Sequence, residues 1–283
     1  MDYLQLDQPI DTIVEFNNKI VAGSYNYDSE MQQRSGFLYI IDPIKNIVTD
    51  KIPTSGTLSL FSTKYKLYAA NVKEIQIYDC NCKLISQYAT KPLNTYVFVN
   101  NYIYVTNVDG ELLIFDLKLQ LLKTVKISKE SIWIVKEIGC FIYIGTETGF
   151  LYKLNVNNIK NKDECEDKLV QIGEKREGII EIFDQNKSIL ISSYDDHTEV
   201  ISKENSNKIK TGSLWKILHY NGYFYCAAMY EGLKIFDNDL NMIKTIKTDS
   251  ICYGILIENN YIYFSSFYEN RIYYCSINNL FTG

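Results

Sequence analysis

The sequence predicts an all-β fold, a seven-bladed β-propeller whose ring is closed by the N-terminal strand. Three observations predict it. Tyrosine is abundant, at 24 of 283 residues, with 13 phenylalanines and many isoleucines beside it. Aromatic and β-branched side chains suit a pleated, half-buried surface. A unit of alternating apolar strands split by short polar turns also repeats along the chain. For example, "TYVFVNNYIYVTNVDGELLIFDLKLQLLKTVKI" at 95–127 matches "LWKILHYNGYFYCAAMYEGLKIFDNDLNMIKTIKT" at 214–248 strand for strand. Finally, the residue closing the third strand of each unit recurs at Asp42, Asp79, Asp116, Asn155, Ser202, Asp237 and Ser276, at intervals of 37, 37, 39, 47, 35 and 39. Seven units of four short strands at this period are what seven blades require.

The blades follow in order. The first, approximately 10–50, opens on "IDTIVEF" and carries a long loop, "SYNYDSEMQQRSG", at 24–36. The second and third span about 55–90 and 94–128. The fourth, about 131–172, contains the charged insertion "NNIKNKDECEDK" at 157–168, which accounts for the interval of 47 and reads as a surface loop. The fifth spans about 177–210 and the sixth 213–248. The seventh, about 250–279, offers only three strands, "ICYGILIE", "YIYFSSF" and "RIYYCSI". Residues 2–8, within the alternating start "MDYLQLDQP", are therefore predicted to supply its outer strand. An open sandwich would instead leave long strand edges exposed.

A formal net charge of −5 gives no basic footprint for displacing phosphate counterions, so direct nucleic-acid binding is not expected. The start of the chain has neither a basic segment nor an apolar one of signal type. No apolar run approaches the roughly 20 residues of a membrane helix. A cytoplasmic (or nuclear) monomer without membrane contact is expected. The odd set of seven cysteines, Cys80, Cys82, Cys140, Cys165, Cys226, Cys252 and Cys275, is expected to be reduced. The close pair Cys80 and Cys82 has no second pair or nearby histidine to complete a zinc site, so no metal is expected.

No Gly-rich phosphate loop, H-E-x-x-H or G-x-S-x-G motif is present. The two histidines are His197 and His219. In a propeller blade, the turn between the second and third strands lies at the top of the ring, as does the approach to the first strand. That rule puts the turn Tyr194-Asp195-Asp196-His197, the 24–36 loop, "MYEG" at 229–232 and "FYEN" at 267–270 on the top face. Trp133, Trp215 and Tyr253 begin inner strands and should border the top of the central channel, with His219 at the opposite hairpin. His197 is a candidate general base, oriented by Asp195 or Asp196. Neighbours on a tight turn point apart, so only one acid could serve it. The other reading is an Asp-rich turn whose side chains satisfy its own backbone. The rim aromatics likewise read either as blade packing or as a binding surface.

The order of motifs carries a resemblance. "IVAGSYNYD" is followed by "SIWIV", "YIGTETGFLYKL", "ILISSYDDHTEVI", "GSLWKILHY", "YCAAMYEGLKIFD", "ICYGILI" and "SSFYENRIYYC". The series resembles the WD-repeat family of diphthine methyltransferase-like proteins, the methylesterases of the diphthamide pathway. It matches best over 177–275 and well over 13–42. Ser192 stands where that family usually has glycine, and Phe-Asp or Tyr-Asp replaces most Trp-Asp strand endings. The resemblance implies a WD-repeat propeller that hydrolyses the methyl ester of methylated diphthine on translation elongation factor 2. Such a reaction needs a nucleophile and oxyanion donors but no cofactor beyond water. The candidates are then His197 as base, Asp195 or Asp196 as its orienter, and Ser193 as a hydroxyl participant. Ser24, Tyr25, Trp133, Tyr194, Trp215, Met229, Tyr253 and Tyr268 are candidates for contacting the substrate. Fold alone points instead to a non-catalytic scaffold binding partners through its top face.

Overall fold

The computed structural model describes residues 1–157, 169–172, 177–185, 188–202 and 206–281. The expected loop at 157–168 lies, beyond Asn157, outside the described residues. The fold is all-β, with seven small antiparallel sheets set in a ring as a seven-bladed propeller. The inner strands are Ile10–Phe16, Thr57–Ser62, Asn94–Val99, Ile132–Ile138, Ile179–Gln185, Leu214–Tyr220 and Ile255–Glu258. Successive strands step outward from each, and the first blade adds the short strand Asn26–Asp28 beside Gln33–Asp42.

Among the described residues, no blade has a core of its own. Each of the seven apolar clusters joins two neighbouring blades, as Ile75 and Ile77 of the second meet Val97, Val105 and Phe115 of the third. Middle strands are therefore covered on both faces. In Leu67–Asn71 and Ile103–Asn107 every residue is buried, which is why they read as continuous runs and not as alternating ones. Outer strands such as Leu84–Ala89 face solvent and alternate weakly.

The recurring acid at the end of the third strand has a local cause. The carboxylate of Asp79 accepts the backbone N–H groups of Asn81 (2.8 Å) and Lys83 (2.9 Å). Asp116 does the same for Lys118 and Gln120, and Asp237 for Asp239 and Asn241. Each is an Asx turn that starts the outer strand.

Ring closure uses the first strand, Asp2–Gln5, which pairs antiparallel with Arg271–Ser276 from Asp2↔Tyr274 to Gln5↔Arg271. Tyr3 packs edge-on against Tyr273 at 5.9 Å, with the Arg271 guanidinium 4.5 Å above the Tyr3 ring. The Leu6 N–H donates to the Asn270 carbonyl (2.8 Å), and its side chain is buried between blades one and seven. Among the described residues, no helix is long and apolar enough to cross a membrane.

Six inner strands share one irregularity. Their pairing shifts after the first residue, at Ile10/Thr12, Thr57/Ser59, Asn94/Tyr96, Ile132/Ile134, Ile179/Glu181 and Leu214/Lys216. The extra residues are Asp11, Leu58, Thr95, Trp133, Ile180 and Trp215. Such bulges re-aim side chains at barrel rims. Here they point the way to the site.

Candidate functional site

The six bulge residues and Tyr253, just ahead of the seventh inner strand, all line one cavity of about 240 Å³ in the central channel. Its lip is aromatic. Trp215 lies 4.7 Å from Tyr253, 6.3 Å from Trp133 and 6.3 Å from Tyr194, measured between ring centroids. Tyr253 meets Phe267 at 5.3 Å, and Phe267 meets Tyr268 at 5.1 Å. The Trp133 indole donates to the Glu147 carboxylate. Gly178 leaves room for this arrangement: a Cβ there would come within 2.5 Å of the Tyr194 ring.

Charge is concentrated in the channel. Lys136 and Lys216 line the cavity, and Glu181 is buried between them. The Lys136 Nζ is 3.7 Å from one Glu181 oxygen and the Lys216 Nζ 3.5 Å from the other. Lys216 also donates to the Tyr96 hydroxyl at 3.2 Å. Burial pulls the Lys216 ammonium down, but the Glu181 charge and the Tyr96 hydroxyl outweigh it and hold the group above the usual lysine range.

The Asp11 carboxyl also lines the cavity, and among the described residues no hydrogen bond or ion pair reaches it. Burial pushes its pKa up to about 8. The shift favours the protonated carboxyl, the form that can donate a proton. In the unfolded chain it ionises near the ordinary value of 3.8, so the folded state holds the extra proton between those two limits. On this group's account, stability falls as pH rises from about 4 to about 8 and is level beyond. Asp11→Asn keeps the shape without the charge. It is expected to raise the melting temperature at about pH 8 by about 4 °C, on the order of 2 kcal/mol once channel water is allowed for. At about pH 4 it should change little. Thermal melts at both pH values check this, and an equal shift at the two would contradict it.

Among the described residues, no carboxylate lies within hydrogen-bond reach of the His197 ring. His197 begins the third strand of the fifth blade and does not line the channel cavity. Its Nδ1 bonds to the backbone carbonyl of Asp195 at 2.5 Å, while the nearer Asp195 carboxylate oxygen is 3.9 Å away. That carboxylate instead accepts from the Ser193 hydroxyl (2.7 Å), the His197 N–H (3.3 Å) and Lys208 (3.3 Å). Burial opposes its ionisation, but Ser193 and Lys208 hold its pKa below the usual carboxylate range. Asp196 sits in the left-handed region at φ 61°. Its side chain accepts from Ser213 Oγ (2.9 Å), and its carbonyl accepts from Thr211 and Gly212. The cluster thus serves the turn and ties blade five to blade six. The two acids on successive turn residues bond to the hydroxyls of Ser193 and Ser213 in preference to the imidazole.

The other expected contacts divide. Trp133, Tyr194, Trp215, Tyr253 and Tyr268 come together at the lip. Ser24 does not join them: it is fully buried, donating to Gln8 Oε1 (2.9 Å) and accepting from the Phe37 N–H (2.7 Å). Tyr25 is half-buried with its ring beside Gly56, and its hydroxyl accepts from Arg34 Nε (2.9 Å). Met229 is buried and tied through its backbone to Ser213 and Cys252. His219 lies by the opposite hairpin, bonded to Asn238 at 2.9 Å.

Asp11, Tyr96, Lys136, Glu181 and Lys216 were not singled out from sequence. Their signal is a charged or hydroxyl side chain inside an apolar inner strand, as in "PIDTIVEF", "IWIVKEI", "IIEIFD" and "LWKILHY". Among the described residues, no group of three or more His, Cys, Asp or Glu could hold a metal ion.

The fold and the site together define a β-propeller with a charged central pocket beneath an aromatic lip. No family model matches the chain, and no curated protein matches it. Among solved structures, the chain is similar to the crystal structure of the computationally designed Ika8 protein. The TM-score is 0.65 over 96% of this chain and 98% of that one, at 10% sequence identity. At that identity the likeness shows the fold alone.

Proposed function

We propose that this chain is a methylesterase that hydrolyses the methyl ester of methylated diphthine on translation elongation factor 2, with the chemistry at the mouth of the central channel. The observation that carries the reading is convergence. The motifs behind the resemblance are spread over blade one and blades four to seven, and those of blades four to seven bring Trp133, Tyr194, Trp215, Tyr253 and Phe267 together in one lip. Beneath that lip lie the charged groups an ester hydrolase needs. Tyr230 and Tyr268, both largely exposed on top-face turns, offer contact for a protein substrate.

The roles follow from charge. Glu181 takes a proton from the attacking water, and Lys136 and Lys216 offset the negative charge that forms on the carbonyl oxygen. The neutral Asp11 carboxyl protonates the leaving methoxide, giving methanol. Glu181 and the new carboxylic acid then release two protons, one of which restores Asp11. The net reaction consumes water and yields a carboxylate, methanol and one proton.

The test is methanol release from purified methyl-esterified elongation factor 2. His197→Ala is expected to stay within about threefold of wild type, because its ring serves the turn. A loss as large as that of Lys216→Met would return the base to His197. Tight binding of the factor with no methanol released would favour the scaffold reading.

A further inference from the structure

We infer that the channel wall beneath the lip is a binding subsite for a monocarboxylate, gripped by Lys136 Nζ, Lys216 Nζ and the Tyr96 hydroxyl. Its identification as the product site rests on the esterase reading; the subsite itself rests on the geometry.

Glu181 is 1% exposed, and its Oε1 accepts from the Ile182 N–H at 3.1 Å. Its Oε2 is buried with no hydrogen-bond partner. The two lysines flank it at 3.7 and 3.5 Å, wider than the roughly 2.7–2.9 Å of a closed charge-assisted hydrogen bond. Each ammonium carries three donors, so donors remain unused on both. Tyr96 accepts from Lys216, which leaves its own proton free to donate.

Two ammonium groups face one carboxylate, so around Glu181 positive charge outnumbers negative by one. Ile13, Val14, Leu60, Ile180 and Ile255 form much of the remaining wall. An uncompensated charge in such surroundings is costly, and a single negative charge removes the cost. A carboxylate brings two oxygens that can bridge the two ammonium groups. A dianion overshoots the charge, and a cation adds to the excess.

The molecule carries its own reporter. Its two tryptophans, Trp133 and Trp215, both stand on the lip of this cavity, 6.3 Å apart. Titration of the full chain with sodium acetate, with chloride holding ionic strength constant, is expected to give a saturable change in tryptophan fluorescence. Lys136→Met and Lys216→Met should each weaken acetate binding by at least about tenfold. Glu181→Gln, which removes the competing carboxylate, should tighten it by at least about threefold, a gain that mere structural damage does not produce. The subsite is overturned by a folded protein with no saturable response, by weaker binding in Glu181→Gln, or by inorganic phosphate binding in preference to acetate. Acetate binding without methanol release would sink the esterase reading and leave the subsite standing. Methanol release without acetate binding would do the reverse.

Discussion

Trp215→Ala is expected to lower the hydrolysis of methyl-esterified elongation factor 2 by at least about a hundredfold while the protein stays folded. Trp215 is the centre of the lip, in ring contact with Trp133, Tyr194 and Tyr253. It also precedes Lys216, so the bulge that aims one helps to place the other. Truncation opens the middle of the lip and lets an ester shift against the charged groups below. A misplacement of about 1 Å can cost about a hundredfold in rate. The fold should survive, because Trp215 belongs to none of the apolar clusters that join the blades. Trp215→Phe keeps a ring in place and should lose less than Ala does. The check is kcat/KM from methanol release beside a circular dichroism melt. Unchanged kcat/KM in Trp215→Ala would move the chemistry away from the channel mouth.

Removing residues 1–8 is expected to lower the melting temperature by at least about 10 °C, or to leave the protein insoluble. The deletion strips the outer strand from blade seven and exposes Arg271–Ser276 as an unpaired edge. It also removes the buried Leu6 side chain, which is worth roughly 1.5–3 kcal/mol by itself. The Tyr3 contact with Tyr273 and Arg271 goes too, as do the bonds of Asp7 to Tyr39 and Lys51. Blade seven thereby loses its strand-borne tie to blade one, while the packing of Ile13 and Tyr39 with Tyr263 and Ile272 remains. A melt of the truncated chain matching that of the full chain would show that the ring does not depend on this strand.

Much of the architecture was legible in the sequence because its causes are local. The repeating Asp of the third strand is an Asx turn, and an Asx turn is made by residues two to four apart. The first strand was legible because blade seven lacked a fourth strand and "DYLQL" alternates. The site was less legible because its parts are not local. Lys136, Glu181 and Lys216 come from three different blades, and nothing in their spacing says that they meet. Whether Asp11 or Trp133 faces the channel depends on a one-residue bulge, which strand alternation does not reveal.

Local adjacency misled in the opposite way. Asp195 and His197 are neighbours in sequence, but the Asp195 carboxylate folds back on Ser193 and on the His197 N–H. Met229 belongs to the same motif run as the lip, yet it is buried and pinned between blades through its backbone. Adjacent residues on a turn diverge, whereas residues at the same position of successive inner strands converge. That convergence is how a propeller builds a site.

The most direct test of the account is the mass of the modified histidine on elongation factor 2 after incubation with the purified protein. Methyl-esterified factor is expected to lose the mass of one methylene group with wild-type protein and to keep it with Trp215→Ala. A substrate whose mass is unchanged after prolonged incubation with folded wild-type protein would contradict the assignment.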